Sequence, residues 1–297
     1  MKSLRTDILC LVGLTLVQTL TNVVFKVVQV NGQYQFSPPV AIFCSEVLKL
    51  FISAALAQRT QDVPSSLITV NKKFVVHSAV LAFLYAVNNQ LSFAVFQLAD
   101  PASVNLLKST NSFVTGILLF FVLGRSIQNV QWLAIAFQVC GLINMQWNSC
   151  SGGSLLPGYL YLLLSLSVFI TGISSVFNEY LLKQYDIPVH VQNVVLYAFG
   201  SFWNYLAYWN LHSGQTFFKG FGWRAMLVVT VNSLMGVVIT FVYKYSDALV
   251  KSLAQAFTSV VLLGVSATFF GLHLGLTAVS SAVIVILATY LYITART

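Results

Sequence analysis

Three lysines stand inside otherwise apolar stretches of the chain: Lys49, Lys108 and Lys251. An ammonium group in hydrocarbon is costly unless an anion or water meets it, so each marks either a buried ion pair or a place for an anionic ligand. Lys251 follows Asp247 by four residues in DALVKSLAQAF. That spacing suits a helix-surface pair snorkelling to the membrane edge, and equally a compact cation held for a phosphate. Lys108 has no acidic residue at helical spacing, which favours a ligand anion or water as its partner. Glu46 and Lys49, three apart in CSEVLKLF, share one helical face and read first as a structural ion pair, with a ligand role as the lesser reading.

Amides form a second group. Tyr85, Asn88, Asn89 and Gln90 follow closely in LYAVNNQLSF. Three consecutive amides cannot all face one neighbouring helix at about 100° per residue. At least one should therefore line a polar cavity, interhelical hydrogen bonding being the competing use. In VQNVVLYAFG, Asn193 and Tyr197 are four apart and share a face, a platform on which a nucleobase could stack and hydrogen-bond. No Gly-rich phosphate loop, metal-ligand spacing, nucleophile elbow or paired carboxylates occur, so no catalytic residue, metal or cofactor is expected.

The elements that must position these residues are membrane helices. Hydrophobic residues make up 58% of the chain and charged residues 7%, against roughly 25% charged in a soluble domain. A span needs about 20 mostly apolar residues in helical form. Ten stretches qualify: 7–27, 38–57, 75–96, 101–123, 129–147, 157–181, 188–210, 224–244, 249–270 and 272–294. The first is too long for a signal-peptide core and lacks a small-residue cleavage site, so it reads as a span. Cysteines at 10, 44, 140 and 150 show no paired spacing, and no disulfide is assigned. With ten spans both termini share a side. That side collects Lys2, Arg5, Arg59, Lys72, Lys73, Arg125, Lys183, Lys244 and Arg296, which predicts cytosolic termini. The formal charge of +8 is mostly this asymmetry and does not point to nucleic acid.

The chain also repeats itself. DPASVNLLKSTNSFVTGILLFFVLG and DALVKSLAQAFTSVVLLGVSATFFG align without a gap at an offset of 147 residues, with Asp100 on Asp247, Ser112 on Ser259 and Gly124 on Gly271. Five spans per half force opposite insertion, so residues 1–150 and 151–297 are expected to form two inverted five-helix repeats of one all-α integral membrane domain, joined by the Gly-rich NSCSGGSLLP. In such folds the ligand sits near the bilayer midplane and rocking of the bundles gives alternating access. Gly116 and Gly141 serve intramolecular packing as readily as dimerisation, which leaves a homodimer open.

Several segments carry a family resemblance: YAVNNQLSF, LADPASVNLL, TGILLFFVLGR followed by VQWLA, MQW, VFNEYLLK, VQNVVLYAFG and YKYSDALVKSLA. Together they resemble the nucleotide-sugar transporters, in the branch of the CMP-sialic acid, UDP-galactose and UDP-N-acetylglucosamine transporters. The likeness runs from span two to span ten. It implies a multi-pass antiporter of the Golgi membrane, or alternatively the endoplasmic reticulum, exchanging a cytosolic nucleotide sugar for a luminal nucleoside monophosphate.

Carried across by position, the resemblance assigns ligand contacts to Asn89, Asn193, Tyr197 and Lys251, with Asn88 beside the first. The family's first-half phosphate lysine falls on Asn111, and Lys108 lies three residues earlier. Such a shift is about 60° around a helix and ~4.5 Å along it, within a lysine's reach. The tyrosine and glutamine preceding that lysine in the sialate transporters are Val104 and Asn105 here, and the arginine before Asn193 is Gln192. These departures favour a UDP-sugar over CMP-sialate. Another carrier of the drug/metabolite superfamily and a non-transporting scaffold are the competing functions.

Overall fold

The computed structural model describes residues 4–30, 33–59, 71–98, 108, 110–147, 158–211, 216–269 and 275–295. Among them lie ten helices: α1 Leu4–Val27, α2 Pro38–Arg59, α3 Lys72–Leu98, α4 Asn111–Leu123, α5 Asn129–Trp147, α6 Gly158–Gln184, α7 Val189–Leu211, α8 Trp223–Tyr245, α9 Ala248–Phe269 and α10 Leu276–Thr294. The described residues hold no strand, only an isolated bridge between Val30 and Gln33. The helix boundaries follow local chemistry. Pro38 and Pro39 open α2, where a missing N–H costs nothing. Gly124 ends α4 in the left-handed region at φ 60°, and its N–H returns to the Leu119 carbonyl.

Seven helices are long and apolar enough to cross a bilayer: α1, α2, α3 as far as Leu91, α6, α8, α9 as far as Val265, and α10. Helices α4 and α5 are apolar but shorter over their described residues, and residues 101–107, which the fourth expected span includes, lie outside them. Helix α7 has 23 residues and carries Gln192, Asn193, Asn204 and Asn210 among its apolar side chains. Several hydroxyls inside the helices are satisfied locally. Thr21, Ser45, Thr258 and Thr289 each donate to the carbonyl four residues earlier at 2.7–2.8 Å, which removes the penalty of an unmet polar group in lipid. Large apolar side chains such as Leu9, Phe121 and Leu276 point outward, 72–86% exposed, as a lipid-facing surface requires.

Contacts divide the chain into two compact units. The first comprises Met1–Thr15, Leu91–Val176 and Tyr245–Thr297, the second Leu16–Gln90 and Phe177–Lys244. Each unit thus draws on both halves of the sequence. In the first, α5 packs along α10, and Gly141 permits the approach: a Cβ there would lie 2.9 Å from Val285 Cγ2 and 3.0 Å from Ile284 Cγ2. Leu142, Ala256 and Val285 form a core in this unit. Gly116 is filled by the Trp132 ring, so both glycines serve packing within the chain. In the second, α2 packs along α7. One core there gathers Phe74, Leu81, Leu181, Ile187, Leu196 and Tyr197, and another gathers Val28, Phe36, Ala41, Ala225, Val228 and Val229. Each of these two extensive pairings joins helices of equal rank in the two halves, second with seventh and fifth with tenth. The Gly-rich segment 148–157, Asp100 and Gly271 lie outside the described residues.

Candidate functional site

In the first unit the chemistry gathers at the start of α9. Asp247, fully buried, occupies the N-cap position: its Oδ1 accepts the Val250 N–H at 2.8 Å, completing the first turn. Its Oδ2 accepts Arg125 Nη1 at 2.7 Å, from the turn that Gly124 starts after α4. The neighbouring Ser246 hydroxyl, also buried, donates to the Asp7 carboxylate of α1. One turn into α9, Lys251 donates from Nζ to Ser175 Oγ of α6 at 3.2 Å. Ser252, the next residue, receives Asn111 Nδ2 of α4 at 3.3 Å. Helices α4 and α9 are therefore tied at two levels, by Arg125 to Asp247 and by Asn111 to Ser252, with Lys251 between the two anchor points in sequence.

That geometry places the first-unit candidates plainly. Asn111 is buried and hydrogen-bonded within the helix contact. Lys108 and Lys251 lie near enough for their ammonium groups to repel one another. The i,i+4 spacing of Asp247 and Lys251 does not produce a salt bridge: the carboxylate is engaged by Arg125 and a backbone N–H, while the ammonium meets a neutral hydroxyl. A cation that meets a neutral hydroxyl rather than a carboxylate attracts anions, phosphate among them.

The second unit holds the amide and aromatic candidates. Asn193, buried in α7, donates to Thr240 Oγ1 of α8 at 3.1 Å, and its Oδ1 has no hydrogen-bond partner among the described residues. Gln192, beside it, donates to the Ile187 carbonyl at 2.8 Å, bracing the start of α7. Tyr197 is buried, with the Lys49 ammonium over its ring at 4.7 Å from the centroid. Lys49 is ion-paired with Glu46. The pair is seated against glycines: a Cβ at Gly200 would come within 2.8 Å of Glu46 Oε2, and one at Gly236 within 2.5 Å of Lys49 Cδ. Tyr85 accepts Asn178 Nδ2 at 2.9 Å, while Asn88 and Asn89 are partly buried in α3. A cavity lined by Ser78, Asn178, Gln192, Asn193 and Leu196 runs beside Asn193.

Sequence reasoning did not single out Ser175, Ser252, Thr240 or Asn178. Each is a small polar residue whose partner lies on another helix, and no spacing along the chain announces it. Arg125 was visible only as a cytosolic positive charge. Glu179 is buried within α6 and paired with Lys183.

Comparison with known proteins adds an independent line. Over residues 2–293 the sequence matches the model of the family described as nucleotide-sugar transporter. Among similar curated proteins, CMP-sialic acid transporter 3 of Arabidopsis thaliana is 29% identical over 90% of this chain and 75% of its own length. CMP-sialic acid transporter 1 of Oryza sativa subsp. japonica is 26% identical over 94% of this chain and 91% of its own. A solved structure described only as the crystal structure of a protein superposes with a TM-score of 0.73 at 13% identity, covering 98% of both chains, a likeness of fold alone. With its apolar helices and a family match along nearly its whole length, the chain is a multi-pass membrane protein that belongs to the nucleotide-sugar transporter family.

Proposed function

We propose that the protein is an antiporter that exchanges a cytosolic nucleotide sugar for a luminal nucleoside monophosphate by alternating access. The observation that carries the reading is Lys251 in the first unit, whose ammonium meets the Ser175 hydroxyl rather than a carboxylate, with Lys108 as a second cation of the same unit. A nucleotide is the ligand class for which the family membership supplies the context and those cations the charge. In this reading Lys251 and Lys108 meet phosphate oxygens, with Asn111 near them in the chain, and Asn193, Tyr197, Asn88 and Asn89 recognise base and sugar. Glu46 and Lys49 keep a structural role.

The organisation proposed with it is two inverted five-helix repeats, residues 1–150 and 151–297, with both termini cytosolic and the protein in the Golgi membrane. The pairing of α2 with α7 and of α5 with α10 supports such a repeat, because a two-fold relation between halves brings equivalent helices together.

A UDP-sugar is the substrate we favour. Its support is Gln192, which stands where the sialate pattern has arginine and serves here to brace the start of α7. A second reading, CMP-sialate, rests on the names of the relatives. Counterflow in proteoliposomes preloaded with UMP or CMP decides between them. Uptake of UDP-sugars driven by UMP supports the first and uptake of CMP-sialate driven by CMP supports the second. Failure of every UDP-, CMP- and GDP-sugar would overturn the assignment.

A further inference from the structure

The arrangement around α9 raises a question of competition. Asp247 lies four residues before Lys251, the spacing at which a carboxylate and an ammonium meet on a helix face. In the structure they do not meet, and Arg125 is bonded to that carboxylate at 2.7 Å. We infer that Arg125 is a positioning residue for nucleotide binding: by holding Asp247 at the N-cap, it keeps that carboxylate away from Lys251 and leaves the ammonium for the substrate phosphate. The inference rests on the proposed phosphate role of Lys251.

The chemistry is one of exclusive partners. A carboxylate paired with Lys251 would compete with phosphate for the same charge-assisted hydrogen bonds. Arg125 wins the carboxylate because guanidinium offers a directional donor that an ammonium does not, and because Asp247 Oδ1 is fixed at the same time by the Val250 N–H. The groups facing this end of α9 come from three further elements. Arg125 comes from the turn after α4, and Asp7 of α1 is engaged by Ser246. Ser175 of α6 takes the Lys251 ammonium that Asp247 leaves. Lys108 is a further cation of the same unit.

This account differs from a merely structural role for Arg125 in a way that a double variant exposes. Removing Arg125 frees Asp247 to pair with Lys251, so nucleotide affinity falls. Removing the Asp247 charge in addition takes the competitor away while keeping an N-cap, because asparagine caps a helix as well as aspartate does. The full chain is purified, and the Kd of UMP and of CMP is measured for wild type, Arg125→Ala, Arg125→Gln, Arg125→Lys, Arg125→Ala/Asp247→Asn and Lys251→Ala, with the melting temperature of each recorded without ligand. Arg125→Ala and Arg125→Gln should each weaken binding about tenfold, the scale of one charge-assisted contact. Arg125→Lys should weaken it less, and the double variant should recover to within about threefold of wild type. If the double variant binds as weakly as Arg125→Ala, or if both neutral variants bind like wild type, the inference is overturned. Should Arg125→Ala not fold, Arg125→Gln with Asp247→Asn carries the same test. A strong loss in Lys251→Ala alongside an unchanged Arg125 series sinks this inference and leaves the phosphate site standing, whereas wild-type protein that binds neither nucleotide sinks both.

Discussion

In the second unit Lys49 closes on Glu46, three residues before it on α2, and the pair sits against the Gly200 and Gly236 backbones with Tyr197 beneath the ammonium. In the first unit Lys251 has Asp247 four residues before it on α9 and yet bonds Ser175, because the carboxylate is occupied by Arg125 and by the helix's own N–H. Both lysines have a carboxylate within helical reach, and only one uses it. The difference teaches that an acidic neighbour does not decide whether a membrane lysine is neutralised. A third group, distant in sequence, decides it, and the lysine left with a neutral partner is the one suited to an anionic ligand.

The contrast can be broken from either side. The largest effect is expected at the closed pair: Glu46→Ala leaves Lys49 buried without its partner and should cost about 3 kcal/mol of stability, read as a lowered melting temperature of the purified protein. Lys251→Ala should leave the fold intact and weaken UMP and CMP binding about a hundredfold, the loss expected if Lys251 is the principal phosphate contact we propose. Lys108→Ala should weaken binding about tenfold, consistent with a second cation beside the first. If transport and affinity survive that substitution unchanged while Lys251→Ala abolishes both, Lys108 is no substitute for the lysine absent at Asn111. The smallest effects concern the glycines. Gly236→Ala pushes against the flexible Lys49 side chain and should destabilise by about 1 kcal/mol. Gly13→Ala, with nothing within 4 Å of the added Cβ in the interior of α1, should stabilise by about 0.5 kcal/mol.

Much of the architecture was legible in the chain because lipid imposes a simple rule: backbone groups must be satisfied within the segment, so apolar runs of sufficient length become helices. Each of the ten stretches read from hydropathy overlaps one of the ten described helices, seven of which are long and apolar enough to cross a bilayer. The family was legible too, since VQNVVLYAFG and YKYSDALVKSLA lie in helices α7 to α9. What spacing could not give was partnership. Asp247 and Lys251 looked like a pair because i,i+4 residues face one another, and nothing along the chain revealed that Arg125, 122 residues away, would claim the carboxylate. Asn193 was recognised by its face on α7, but its tie to Thr240 spans 47 residues and depends on how α7 packs on α8. Such contacts belong to the packed bundle, where one hydroxyl among many finds a partner by position.

The comparison between the two lysines is tested most directly by asking what a phosphate contributes to binding. The affinities of uridine and UMP, and of cytidine and CMP, are measured for wild type and for Lys251→Ala. The account predicts that wild type prefers the nucleotide to the nucleoside by about a hundredfold and that Lys251→Ala loses most of that preference while its affinity for the nucleoside is kept. A Lys251→Ala protein that still prefers UMP and CMP as strongly as wild type would contradict it.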